Sequence, residues 1–254
     1  MTTQLSININ KVALIRNARS GNNPDLLKYA QQCIQHGAHG ITIHPRPDQR
    51  HIRADDAHTL KQHLEVELNI EGNPFESELP SNRPDVSDYP SFLTLIERNQ
   101  PAQCTLVPDT RQQLTSDHGF DLRKDGERLA PLIQSFKNQG IRVSLFMAPD
   151  TEQITLAKDV GADRVELYTG PYAHNFDCEV HDKALFTQYR DAGEYALSIG
   201  LGLNAGHDLN LNNLAFFKQL LPDLHEVSIG HALTVDALNY GLKDTIERYL
   251  SCLQ

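Results

Sequence analysis

The stretch Gly140-Ile-Arg-Val-Ser-Leu-Phe-Met-Ala-Pro-Asp150-Thr-Glu-Gln-Ile-Thr-Leu-Ala-Lys-Asp-Val-Gly161-Ala-Asp-Arg-Val-Glu-Leu-Tyr-Thr169 decides the fold. It reads as a strand over Arg142–Phe146, a helix over Thr151–Val160 and a second strand over Arg164–Tyr168. Ile154, Ala157 and Val160 recur every three residues, which puts them on one helix face. Asp150 stands where an N-cap belongs, and Gly161 where a left-handed C-cap closes the helix before the next strand. Strand, helix and strand with joints this short form the unit of a parallel sheet.

The same alternation extends in both directions. Upstream, strands are expected at Leu5–Ile9, Gly40–His44, Glu65–Ile70 and Gln103–Val107, with helices over Pro24–His36 and Glu127–Asn138. Asp25 sits in an N-terminal capping position, and Gly37 and Gly140 close these two helices. Downstream, strands are expected at Gly202–Asn204 and Glu226–Ile229, then one long helix over Val235–Leu250. Eight strands alternating with helices over 254 residues is the count and size of a TIM barrel. The expectation is an α/β fold, one TIM-barrel domain over residues 1–254 with extra helices. A doubly wound sheet is the alternative; it wants a glycine-rich turn after its first strand, and Asn10-Lys-Val-Ala13 is not one. Asn73–Ser91, with Pro74, Pro80, Pro84 and Pro90, reads as a long surface loop.

Composition narrows the function. Lys and Arg total 23 against 33 Asp and Glu, a net charge of -10, so sequence-independent nucleic-acid binding is disfavoured. No window approaches the roughly 18 apolar residues of a membrane span. Met1-Thr-Thr-Gln-Leu5 lacks the charged start and apolar run of a secretory signal. Cys33, Cys104, Cys178 and Cys252 are scattered, which suits reduced thiols in the cytoplasm.

In such a barrel the chemistry lies at the C-terminal ends of the strands. Those positions hold Asn8 and Asn10, then His44-Pro-Arg46 with Arg50 and His51, then Asn69 and Glu71. Arg111 and Thr115 follow the fourth strand, Glu166 lies in the sixth, and the last two strands end in Gly206-His207 and Gly230-His231. Clustered His, Glu and Arg read as acid/base chemistry on an anionic ligand. The two Gly-His pairs stand where barrels commonly bind phosphate, because glycine lets backbone N–H groups approach the anion. Each residue also has a plainer reading: His44 as a hydrogen-bonded core histidine, Glu71 as a cap or an ion-pair partner, Arg19 and Arg46 as solvated loop charges. Glu166 alternates with Val165 and Leu167 and so faces the interior, where a charge needs a partner or a role. No ligand-spaced set points to a metal.

These residues resemble a known family. Asn8-Ile-Asn-Lys-Val-Ala-Leu-Ile-Arg-Asn-Ala-Arg19, Gly40-Ile-Thr-Ile-His-Pro-Arg-Pro-Asp-Gln-Arg-His-Ile52, Asn69-Ile-Glu71, Leu106–Thr115, Val165-Glu-Leu-Tyr-Thr-Gly170, Asn204-Ala-Gly-His207 and Ser228-Ile-Gly-His-Ala232 follow the order of motifs in the pyridoxine 5'-phosphate synthase family. The resemblance covers essentially the whole chain. It implies a TIM barrel assembled as a homo-octamer, without metal or organic cofactor. The implied reaction condenses 1-deoxy-D-xylulose 5-phosphate with 1-amino-acetone 3-phosphate to pyridoxine 5'-phosphate, phosphate and water. The Schiff base forms between the two substrates, so no catalytic lysine is required. By motif position, His44 and Glu71 match proton acceptors and His207 a proton donor. Arg46, His51 and Thr115 match residues around the xylulose phosphate. Asn8, Arg19, Gly230 and His231 match those around the amino ketone phosphate, and Glu166 a glutamate near the reacting atoms.

The chain departs from the pattern in places. Asn10-Lys11 stands for the family's Asp-His, Asp208 for a glycine, and Ser116–Gly119 differs from the usual loop. Asn10, Lys11 and Asp208 belong to the candidate substrate site; either Lys11 and Asp208 pair across the barrel mouth, or Asp208 points to solvent and helps cap a helix beginning near Leu209. The competing function is a barrel that binds a phosphorylated metabolite without synthase activity, or that acts on another sugar phosphate.

Overall fold

Parallel strands close on themselves in chain order, β1 to β8, in the computed structural model, which describes residues 2–178 and 180–254. The strands are β1 (Gln4–Asn8), β2 (Gly40–Ile43), β3 (Glu67–Gly72), β4 (Gln103–Leu106), β5 (Arg142–Met147), β6 (Arg164–Leu167), β7 (Gly202–Ala205) and β8 (Glu226–Ile229). Closure through the β1–β8 pairing, with Leu5 opposite Val227, makes this a TIM barrel and excludes the open doubly wound sheet. The helices are α1 (Asn10–Asn17), α2 (Leu26–Gln35), α3 (Ala54–His63), α4 (Phe92–Asn99), α5 (Leu122–Asn138), α6 (Thr151–Asp159), α7 (Gly170–Asp177), α8 (Lys183–Ser198), α9 (Leu214–Leu220), α10 (His231–Tyr240) and α11 (Leu242–Cys252).

Local chemistry sets the helix ends. The Asp150 carboxylate accepts from the Glu152 and Gln153 N–H groups at the start of α6, and Asp25 accepts from Lys28 at the start of α2. Gly37, Gly140 and Gly161 have φ of 106°, 78° and 90°, the left-handed conformation that ends a helix at low steric cost.

The barrel wall has two chemically distinct faces. Ile7, Ile41, Ile70, Leu106, Leu145, Leu167, Leu203 and Val227 are buried in the apolar core that the helices complete. The alternate residues are polar and meet inside the barrel. Ser6 bonds Thr42 at 2.7 Å, Thr105 donates to Asn69 at 3.1 Å, and Asn204 of β7 reaches Gln103 of β4 across the lumen at 3.4 Å. At the lower end Arg164 joins Asn204 and Glu226. The polar layer continues upward into the mouth where the candidate residues sit.

Three expectations are corrected. Asn10 and Lys11 open α1 and do not end a strand. The long final helix is two helices, broken at Gly241 with φ 79°; Val235 and Leu238 are exposed while Ile246 is buried, so they share no face. The segment 73–91 is less peripheral than a surface loop: Leu79 and Tyr89 pair in an antiparallel bridge, Tyr89 is buried, and Arg83 and Ser87 bond Gln49 of the β2–α3 loop.

Candidate active site

β2 ends at Ile43, so His44 emerges at the barrel mouth, and Glu71 projects from the last turn of pleat in β3. The His44 Nδ1 lies 3.9 Å from Glu71 Oε2. Asn8 at the end of β1 donates to the same carboxylate oxygen at 3.3 Å. Asn8 also accepts from the Asn10 N–H at 3.1 Å, and Asn10 accepts from the His44 N–H at 2.9 Å. Asn10 thereby fixes the backbone that carries His44. Gly230 closes this side: a Cβ there would lie 3.1 Å from the Asn8 Cβ, too close for free packing.

The electrostatics of the pair follow from burial. Burial first, then Arg46, holds His44 well below the ordinary imidazole range, and His51, whose ring centroid is 6.3 Å away, is pushed down to about 3 by the same causes. Burial first, then the neighbouring Glu166, pushes Glu71 well above the carboxylate range; burial and Glu226 raise Glu166 to about 8. Desolvation thus favours the neutral imidazole of His44 and the protonated carboxyls of Glu71 and Glu166. Glu166 Oε2 is buried without a hydrogen-bond partner among the described residues, and Oε1 faces Gly206, where a Cβ would come within 2.6 Å. Only glycine fits between that carboxyl and the β7 turn.

The opposite rim carries His207. Its Nε2 lies 2.6 Å from Thr115 Oγ1 and its Nδ1 2.9 Å from Asp208 Oδ2. The expected Lys11–Asp208 pairing is not there. The side chains acting on the Asp208 carboxylate are His207 and His231, whereas Lys11 acts on His51. Lys11 belongs to the first turn of α1 on the His51 side, not to a strand beside β8. Nor does Asp208 cap a helix, since α9 begins at Leu214 with Asn213 before it.

Arg46 is buried and pairs with buried Asp109, while its Nη1 donates to the Gln113 carbonyl at 3.1 Å. Arg50 donates to the Gln113 and Arg111 carbonyls, so both arginines grip the loop that carries Thr115. His231 is the exposed first residue of α10. Arg19 stands apart: it lies past the end of α1, exposed, with no side-chain hydrogen bond or ion pair among the described residues. Sequence reasoning missed Asp109, which follows β4 in a polar loop, and Tyr168, whose ring lies edge-on to His207 with centroids 5.5 Å apart. It also missed Arg16, buried and bonded to Asp56 and the His51 carbonyl, which holds the β2–α3 loop. All three sat inside quoted motifs, but periodicity gave no signal for their burial or contacts. Among the described residues no group of three or more His, Cys, Asp or Glu is gathered as a metal site.

Residues 5–254 match the family model described as pyridoxal phosphate biosynthesis protein PdxJ. The chain belongs to that family. A pyridoxine 5'-phosphate synthase of Xanthomonas campestris pv. campestris is 52% identical over 258 residues, covering 100% of this chain and 97% of the relative. One of Cytophaga hutchinsonii is 52% identical over 248 residues, covering 98% of each. Among solved structures, the phosphoribosylanthranilate isomerase of Thermotoga maritima superposes with a TM-score of 0.56 at 13% identity, over 99% of this chain and 98% of that one. That likeness concerns the barrel fold alone.

Proposed function

We infer that the chain is a pyridoxine 5'-phosphate synthase of vitamin B6 biosynthesis. It joins 1-deoxy-D-xylulose 5-phosphate to 1-amino-acetone 3-phosphate and releases phosphate and water. The observation that carries the reading is the facing pair His44 and Glu71, 3.9 Å apart at the mouth of a barrel that matches the family over residues 5–254. A condensation with dehydrations needs one group ready to take a proton and another ready to give one, and this pair supplies both.

His44, neutral, is the base for carbon acids on the substrates. Glu71 begins the cycle carrying a proton, so it serves first as donor to a departing oxygen and then as acceptor. His207 is the donor on the opposite rim. Arg46, His51 and Thr115 hold the xylulose phosphate, with Asn10 and Lys11 beside them. Asn8, Gly230 and His231 surround the amino ketone phosphate, where the N–H groups opening α10 favour an anion, and Arg19, exposed beyond α1, supplies a cation from outside this group. Glu166, uncharged near neutral pH, sits below the reacting atoms. Among the described residues no helix is long and apolar enough to cross a membrane. We take the enzyme to be cytoplasmic, as its scattered free cysteines suggest, and a homo-octamer, as the family resemblance implies.

The test is incubation of purified protein with both phosphates. Pyridoxine 5'-phosphate and inorganic phosphate should appear together. Folded protein that binds both substrates but forms no pyridoxine phosphate would sink the reading in favour of a binding barrel.

A further inference from the structure

The structure gives the Asp208 side chain a defined partner. The β7 turn places His207 at φ 23° and Asp208 at φ 63°, both in the left-handed region. Glycine suits that region, and aspartate is one of the few other residues that visits it readily. The conformation is clamped from outside. The Thr169 hydroxyl, at the end of β6, bonds the Gly206 and His207 carbonyls. The Asn210 and Asn213 amides donate to the Asp208 carbonyl at 3.3 and 3.2 Å. So held, the Asp208 carboxylate turns back onto its own neighbour and lies 2.9 Å from His207 Nδ1.

The ring's other surroundings cannot do the same work. Thr115 meets Nε2 from the β4–α5 loop, Tyr168 presents a ring edge, and His231 is the further titratable group acting on Asp208 from the start of α10. Among the described residues only Asp208 meets Nδ1. A histidine's free nitrogen is defined by the hydrogen bond made at the other one.

We propose that Asp208 is a positioning residue that fixes one proton of His207 on Nδ1 and orients Nε2 as the nitrogen that first takes a proton from substrate and then, as the imidazolium the carboxylate stabilises, returns it to the departing oxygen. Asp208 and His207 thereby form an aspartate–histidine dyad at the proton donor. The hydrogen bond from His207 holds the Asp208 carboxyl below its ordinary range, as an ionised acceptor should be. The catalytic consequence rests on the synthase reading; the placement of the proton does not.

The experiment is therefore run in two arms. Solid-state nitrogen NMR of histidine-labelled protein reads which ring nitrogen carries the proton, with the His207 signals identified by their loss in His207→Asn. Wild type should show a protonated Nδ1. Asp208→Gly, which suits φ 63° at least as well and so keeps the fold, should lose it. Asp208→Asn keeps an acceptor oxygen and should retain it. In turnover, Asp208→Gly should lower kcat about tenfold, short of the 10²–10⁴ attached to an acid/base group itself, with KM within about twofold. Asp208→Asn should recover most of that loss. An Nδ1 proton unchanged in Asp208→Gly overturns the proposal. So does a raised KM with kcat intact, which would make Asp208 a substrate contact. Failure of the synthase reading would show separately, as wild-type protein that forms no product while the NMR arm still reports.

Discussion

Burial and Arg46 strip the proton from His44, while burial and Glu166 load one onto Glu71. The two shifts run in opposite directions because desolvation always favours the neutral form, which is the free base for one side chain and the acid for the other. His44→Asn should therefore keep the fold, since the amide fits a polar site already supplied with Asn8 and Asn10, and should cost about 10²–10⁴-fold in kcat. Pyridoxine phosphate formation within a few-fold of wild type would refute the assignment. Glu166 makes a separate prediction about stability. Its folded pKa is raised from 4.5 to about 8, so the native state binds the extra proton between those values. By linkage, the stability contributed is full below pH 4.5 and is lost as pH rises towards 8. Glu166→Gln removes the titration, so its Tm should fall less than that of wild type between pH 5 and 8. Equal slopes for the two proteins would contradict the buried, protonated Glu166.

The loop between β4 and α5 is held by charges rather than by apolar packing. Arg46 and Asp109 are buried against each other, and Arg46 and Arg50 bond the carbonyls of Gln113 and Arg111. Removing one partner of a buried pair costs about 3–5 kcal/mol if the other stays buried, so in Asp109→Ala the loop should open and release Arg46 to solvent instead. Trypsin should then cleave after Arg111 markedly faster, while the helices and barrel melt near the wild-type temperature. An unchanged cleavage rate would show that the pair does not latch the loop. The strands around this loop were legible in the sequence to within about two residues, because short apolar runs end at glycine and proline. The latch was not, since nothing at Asp109 marks its burial. Asn10 and Lys11 were misplaced because polar residues after a strand do not reveal where the next helix starts. The break at Gly241 was missed because Leu238 and Leu242 keep a spacing of four through it.

On the scale of the molecule, the polar lumen and the outer surface pose opposite problems. Ser6, Thr42, Thr105 and Ser144 look in sequence like ordinary strand residues, and only ring closure turns them into an interior layer. The candidate residues at the strand ends stood out in the sequence because histidine, glutamate and arginine are uncommon at purely structural strand ends. Outside, Leu14 and Ile15 on α1 and Val235, Leu238 and Tyr240 on α10 are exposed, at 44%, 50%, 43%, 78% and 48%, and the two helices pack side by side. A contiguous apolar face of this kind suits association of copies better than solvent. If it is an interface of the proposed homo-octamer, a charge placed at Leu238 must be desolvated on every contact, at a cost far above that of a charge left in water. Leu238→Lys should then lower the mass measured by light scattering to a smaller species, whereas the same change at Leu114, 89% exposed in the loop after β4, should leave the mass unaltered. Because Leu238 lies on the solvent side of α10 and touches none of the candidate site residues, its circular dichroism and melting profile at low concentration should stay close to wild type. An octamer that survives Leu238→Lys would move the interface elsewhere on the barrel.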